Sequence, residues 1–380
     1  MIKIGIDGFG LGRSHYTGKE NYVLSIINGL LKIRNDLAFR IFLPKNFNKL
    51  PSFGGGNVEF IYTAESNSYT IWNQLFLPFA LKSTQLDVMV FTESMIPIIN
   101  YSYNFKEILI VYDVMFHNVG KEFDRKTKYL LGTLLPHSLN KADSVVTISE
   151  ASQKDIIHFY GCPGEKIFVI PPGIELKEFN FDNNFNHNLL KRFNINSRYI
   201  TYIGNHEKYK NLNKLLEAFK ILTNDQKFND LGLLLIGKND KNTPSLIQKI
   251  KELGLENKVI ITGYISDNER NTLLHGSQLL VLPSMYEGFG IPLIEAMAIG
   301  VPVATSNISS MPEVIGNAGL TFDPKNKDDI TISLKKILLD SELKAELIKK
   351  GLERVKIFDY MNSAKKFSCV LDILFNRFPK

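Results

Sequence analysis

The sequence predicts an α/β fold built from two Rossmann-like domains. Three observations lead to it. Short apolar runs of strand length alternate with helical patterns along most of the chain. The alternation stops once, at Pro171-Pro172-Gly173. It then resumes as a second series of the same kind. A length of 380 residues suits about two domains. With 44% hydrophobic and 22% charged residues, the composition is that of a globular chain and not of a disordered one.

In the first series, strands are expected at 2–6, 39–43, 58–62, 87–91, 108–112, 144–148 and 167–170, with helices near 18–33, 72–81, 123–139 and 150–159. The helix from Gly18 carries Tyr22, Ile26, Leu30 and Ile33 on one stripe. The stretch 174–197 has poor periodicity and is rich in Asn and Phe, so it reads as a linker between a domain at 1–173 and one at 198–360. The second series places strands at 199–203, 231–236, 258–262, 279–282, 302–305 and 319–322. Its helices fall near 211–222, 244–253, 267–275, 292–298 and 312–315. Helical segments close the chain from about 328, and residues 361–380 read as a C-terminal helix. Two such domains are expected to face each other across a cleft, with ligands at the carboxyl ends of the strands.

The net charge of +6 is concentrated late in the sequence: residues 331–380 carry 11 Lys/Arg against 6 Asp/Glu, whereas residues 1–180 carry 18 against 17. That excess fits a solvated helical face or an anionic membrane surface. A nucleic-acid partner is not expected, because no basic patch is interleaved with aromatics. Cys162 and Cys369 form neither a disulfide framework nor a metal spacing, which suits a reducing, cytoplasmic compartment. No signal-peptide pattern or long apolar run is present, so any membrane contact is expected to be peripheral.

The segment 279–314 carries the most chemistry. An apolar strand leads through Pro283 and Ser284 into a loop, Tyr286-Glu287-Gly288-Phe289-Gly290, and Pro292 then opens a helix. Gly288 and Gly290 allow a ligand close to the backbone. The new helix aims free N–H groups and its positive dipole end at that ligand, an arrangement suited to a diphosphate. Glu287 in the loop and Glu295 one turn into the helix can serve as acceptors for sugar hydroxyls, although this spacing alone also fits a helix-start and a surface glutamate. Ser310 and Glu313 match a capping box, and Ser310 is a candidate ligand contact as well.

A second segment, Gly204-Asn205-His206-Glu207-Lys208-Tyr209-Lys210-Asn211, joins a strand to a helix. A lysine here can neutralise a diphosphate leaving group. The N-terminal turn, Gly8-x-Gly10-x-Gly12, is followed by Arg13, and the next strand ends without an acid for a ribose hydroxyl. A dinucleotide fingerprint therefore fails twice, which argues against a nicotinamide dehydrogenase.

The pattern Glu287-x7-Glu295, set in Tyr-Glu-Gly-Phe-Gly-Ile-Pro-x-x-Glu-Ala-Met-Ala-x-Gly-x-Pro-Val, resembles the signature of the retaining GT-B glycosyltransferases of family 4. The following Ser-Asn-Ile-Ser-Ser-Met-Pro-Glu-Val resembles a subgroup common among O-antigen and capsule mannosyl- and rhamnosyltransferases. The resemblance implies that Glu295 bonds the nucleotide ribose, that Glu287 contacts the donor sugar, and that the Phe289 and Gly290 amides meet the sugar or distal phosphate. It implies Lys210 as a cation on the diphosphate, with Lys208 in place of the family's usual arginine, whose own position holds Tyr209. Gly204 borders the same site, Tyr264 lies in the loop near the base, and Gly18 borders the donor phosphates and the acceptor. Relatives often carry His-Asp at the end of the strand near 112; here Asp113 matches and Tyr112 replaces the histidine. His117 reads as a surface-loop residue.

No Asp-x-Asp triplet or metal-ligand spacing occurs, so no metal or other cofactor is expected. The resemblance implies transfer of a hexose, mannose or rhamnose favoured, from a nucleoside-diphosphate sugar to a saccharide acceptor on a polyprenyl-type lipid. A sugar-nucleotide epimerase of the same fold and a non-catalytic donor-binding subunit are the alternatives.

Overall fold

The computed structural model describes residues 1–12, 16–47, 50–99, 103–119, 125–179 and 187–376. Arg13 and His15 lie outside the described residues, as do 180–186 of the stretch read as a linker and the last four residues. The chain divides into two compact units. One is Met1–Gly173 with Asp359–Lys380, the other Ile174–Phe358.

The first unit holds a seven-stranded parallel sheet: β1 (Ile2–Asp7), β2 (Leu37–Pro44), β3 (Asn57–Thr63), β4 (Val88–Phe91), β5 (Lys106–Ile110), β6 (Ser144–Thr147) and β7 (Ile167–Val169). Their spatial order is β3-β2-β1-β4-β5-β6-β7. Strands β4 and β6 are buried throughout, as a parallel sheet covered on both faces requires. The helix Gly18–Ile33 starts at Thr17 with a capping box to Glu20. It buries the expected Tyr22, Ile26 and Leu30, while Ile33 is half-buried. The helix Tyr360–Leu374 packs on it so closely that a Cβ on Gly29 would lie 2.4 Å from the Cβ of Ala364. Arg34 ties the two together through Asp372 at 2.8 Å.

The helix expected near 72–81 runs instead from Tyr69 to Lys82, with a π-helical stretch at Trp72–Phe76. The wider turn lets Trp72, Leu77 and Leu81 all face the core. The strand expected at 108–112 spans Lys106–Ile110.

The second unit holds β8 (Tyr199–Ile203), β9 (Gly232–Ile236), β10 (Val259–Gly263), β11 (Leu280–Leu282), β12 (Val303–Ser306) and β13 (Gly319–Phe322). They form a six-stranded parallel sheet in the order β10-β9-β8-β11-β12-β13. The strand order reverses beside β8, so the loops after β8 and β11 flank a topological switch point. Within residues 174–197, Leu176–Phe179 and His187–Arg192 form short helices that belong to this unit. Among the described residues no helix is long and apolar enough to cross a membrane.

Candidate donor site

Two loops of the second unit build the site. After β8 the chain turns sharply at Gly204, whose carbonyl oxygen would lie 1.9 Å from a Cβ on Gly237. Only glycine at 237 permits this approach. His206 then anchors the loop: its amide donates to Asp240 Oδ2 at 2.9 Å, and its Nδ1 lies 2.8 Å from Thr243 Oγ1. Its ring is buried, and among the described residues its Nε2 has no hydrogen-bond partner. Burial holds the imidazole below its ordinary pKa. Asn211 takes the left-handed conformation at φ 61° and opens the helix Leu212–Thr223. Its side-chain amide donates to the Pro283 and Pro324 carbonyls at 3.1 and 2.7 Å.

After β11 the second loop meets the first through the Met285 amide, which donates to the Tyr209 carbonyl at 2.7 Å. Side chains complete the junction. Lys210 Nζ bonds both carboxylate oxygens of Glu287 at 2.7 and 2.9 Å, and Ser284 Oγ donates to Oε1 at 2.6 Å. The Lys210 and Glu287 side chains keep only 14% and 12% exposure, so the pair works in a partly desolvated setting where charge interactions are strong. Lys208 is exposed, and among the described residues nothing draws it into this pair.

Gly290 caps the helix Ile291–Ile299 at φ +100°, with Pro292 in the first turn. This left-handed position favours glycine. Among the described residues the amides of Phe289 and Gly290 donate to no acceptor, leaving N–H groups at a helix start for an anion. Gly288 is half-buried. The Phe289 ring is buried edge-on to Phe358, 5.4 Å between centroids.

Ser310 departs from expectation. It makes no side-chain cap and takes helical φ and ψ, so the capping box with Glu313 does not form. Its buried hydroxyl lies 2.9 Å from the Glu287 carbonyl and 3.0 Å from that of Phe289, strapping the glycine loop. Ser309 adds a bond to the same Glu287 carbonyl at 2.6 Å.

Glu295 does not join the Lys210 pair. It is buried, and its Oε1 accepts from Arg270 Nη2 at 2.9 Å. Burial pushes its carboxyl up to about 7, against the pull of Arg270. Tyr264, after β10, is 71% exposed.

The remaining candidates belong to the first unit. Gly18 is exposed at the start of its helix. Asp113 is half-buried, and its Oδ1 accepts from the Met115 amide at 3.0 Å. Tyr112 is buried, edge-on to Tyr22 and under the Lys19 ammonium, 5.0 Å from the ring centroid. His117 is exposed, stacked on Phe159 and 2.9 Å from the Tyr160 hydroxyl. The structure therefore brings together Lys210, Glu287 and the glycine loop with Ser310. Sequence reading missed Ser284, Arg270 and the Asp240–Thr243 anchor of His206. Ser284 precedes the motif and could have been suspected. Arg270 carries no local signal, since it looks like any basic residue on an exposed helix.

Comparisons with known proteins bear on the family and the fold. The family description "Glycosyl transferases group 1" matches residues 188–354, and "Glycosyltransferase Family 4" matches residues 16–178. O-antigen chain mannosyltransferase B of Escherichia coli is 31% identical over 229 residues, 60% of this chain and only 60% of that protein. O-antigen chain mannosyltransferase RfbU of Salmonella typhimurium is 27% identical over 269 residues, 71% of this chain and 69% of that one. The structure of sucrose-phosphate synthase from Thermosynechococcus elongatus superposes over the whole of both chains with a TM-score of 0.78 at 18% identity, a likeness of GT-B fold. Both halves of the sequence carry the same assignment, and the chain belongs to the group 1 glycosyltransferases of family 4.

Proposed function

We propose that the chain is a retaining glycosyltransferase that moves a hexose or deoxyhexose from a nucleoside-diphosphate sugar to a saccharide acceptor in surface-polysaccharide synthesis. The observation that carries this reading is the Lys210–Glu287 pair beside the unbonded Phe289 and Gly290 amides. A diphosphate at that helix start meets the ammonium and the amides, and its arrival frees the Glu287 carboxylate to accept from sugar hydroxyls.

In the proposed step the bond from the sugar anomeric carbon to the diphosphate oxygen breaks. A bond from that carbon to the acceptor oxygen forms on the same face. The acceptor proton passes to the departing diphosphate oxygen, and Lys210 with the loop amides stabilises the charge left there. No divalent ion is required in this reading. The absence of an Asp-x-Asp triplet in the sequence supports it. GDP-mannose is the first candidate donor and dTDP-rhamnose the second. The O-antigen mannosyltransferases named above support the first. A polyprenyl-linked acceptor and peripheral contact at the inner membrane face complete the proposal.

The test is calorimetric titration of GDP-, UDP- and dTDP-sugars into wild type and Glu295→Ala, with EDTA present. Binding of one nucleotide class that is weakened in the variant and indifferent to EDTA supports the proposal. Silence toward every sugar nucleotide removes the donor site.

A further inference from the structure

The loop after β8 is pinned at two points. Its far end is held by Asn211, whose side chain bonds the Pro283 and Pro324 carbonyls. Its near end is held by His206. The His206 amide donates to Asp240 Oδ2, and its Nδ1 lies 2.8 Å from Thr243 Oγ1, which also accepts from the Asp240 amide at 2.8 Å. Asp240 Oδ1 in turn accepts from the Asn242 amide at 2.7 Å. The imidazole thus plugs a closed hydrogen-bonded turn between β9 and the helix Thr243–Glu252. Between the two pins stands one tight helical turn, Lys208–Lys210, in which the Lys210 amide donates to the Glu207 carbonyl at 2.9 Å. We infer that His206, when uncharged, is a positioning residue: it fixes the start of this turn so that the Lys210 ammonium meets Glu287 and the donor diphosphate, and acid releases it. The inference rests on the donor-site reading above for what Lys210 does, though not for where His206 sits.

The need for a neutral ring follows from its surroundings. His206 is 4% exposed, and its Nε2 is the side left without a partner among the described residues. Either neutral tautomer is served, because the Thr243 hydroxyl can donate to Nδ1 or accept from it. The imidazolium is not served, since it places a charged N–H at the unpartnered Nε2, and a buried charged donor without an acceptor is costly. Few charges face the ring. Asp240, on the turn after β9, favours the charged form, but burial outweighs it and holds the imidazole below its ordinary 6.5. Lys238 and Lys241 on the same turn are exposed, as is Lys208. Glu207, next in the loop, is engaged by Asn242 at 3.2 Å and Lys241 at 3.9 Å. The first turn of the helix Thr243–Glu252 carries no charged residue. An imidazole freed into water regains its ordinary affinity for protons. As pH falls below 6.5 the released loop gains a proton that the pinned loop does not, so pinning weakens.

The test reads amide hydrogen exchange of residues 204–211 by mass spectrometry, as protection corrected for intrinsic exchange rates, in wild type, H206N and H206A. Wild type is expected to lose several-fold in protection between pH 7.5 and 5.5, up to about tenfold, the most that one imidazole of ordinary affinity can give over that interval. H206N can keep a bond to Thr243 but cannot titrate, so its protection should be the same at both pH values. H206A lacks the pin and should lose protection already at pH 7.5. Donor turnover in H206A should fall about 10–10²-fold at pH 7.5, mainly in kcat, because a misplaced Lys210 fails the departing diphosphate. The wild-type acid loss appearing in H206N, or wild-type protection in H206A, overturns the inference. So does a loss of protection spread evenly over the second unit with turnover per folded molecule unchanged, the mark of a merely structural histidine. Should H206A fail to fold, wild type and H206N still decide. Wild type that consumes no sugar nucleotide removes the donor reading, while the exchange pattern upholds or overturns the pin by itself.

Discussion

The two units wind their sheets alike, with the first strand of each flanked by its second and fourth, yet their first turns have opposite chemistry. Among the described residues the turn after β1 is lined by acids. Asp7 is fully buried at the strand end, and a Cβ on Gly10 would sit 3.1 Å from carboxylate oxygens of both Glu20 and Glu93. After β8 the corresponding turn carries Lys208 and Lys210. Each unit also buries one acid raised to about 7. Asp7 is raised by burial, with Glu93 adding to it and the Tyr69 hydroxyl opposing it at 2.6 Å. Glu295 is raised by burial but faces Arg270. A shared winding therefore does not make a shared site. Among the described residues the first turn presents carboxylates and the second lysines, so the two turns offer a ligand opposite charge.

The sharpest test of this contrast is Asp7→Asn. In the folded state the Asp7 carboxyl keeps its proton up to about pH 7, against 3.8 when unfolded. Between those values the native state binds more protons, so rising pH lowers stability, by on the order of 4 kcal/mol across the window. The variant lacks this loss. It should be more stable than wild type at pH 8, with the advantage vanishing as pH is lowered toward 4, as urea unfolding at both pH values would measure. Equal pH dependence in the two proteins would mean that the first turn is not an acidic counterpart to the second.

Lys210→Ala probes the other side. Removing the cation leaves the Glu287 carboxylate, among the described residues, with the Ser284 hydroxyl as its side-chain partner, and on the proposed mechanism it leaves the departing diphosphate without an ammonium. Turnover of the donor should fall about 10²–10³-fold, measured as sugar transfer or donor hydrolysis at saturating donor. A loss below threefold would break the comparison at its functional end. The smallest expected effect is Ser310→Ala. It deletes one buried hydroxyl shared between two carbonyls, and should cost about 1–2 kcal/mol of stability in thermal denaturation while the fold is kept. An unchanged melting temperature would show that the strap does not hold the glycine loop.

Much of this molecule was legible in the sequence. The period of the apolar runs located the strands of both sheets, because a strand buried on both faces is mostly apolar, as 280–282 and 88–91 are throughout. The motif around Glu287, Gly290 and Pro292 located the loop-to-helix junction, because φ > 0 and an N-terminal proline are local demands. The rest depended on partners distant in the chain. Nothing near Glu287 announces Lys210, 77 residues away, as its counter-ion. Nothing near Glu295 announces Arg270. Ser310 matched a local capping pattern, but tertiary carbonyls competed successfully for its hydroxyl. The π-helical stretch at Trp72–Phe76 answers to what the core needs from Trp72 and Leu77. Sequence alone determined the strand series, the glycine turn and the identity of the charged candidates, since backbone preference and hydrophobic period are properties of neighbouring residues. Which charges pair, which acid is raised and which hydroxyl is spent were decided by the tertiary structure, because electrostatic energy and desolvation depend on distance through space.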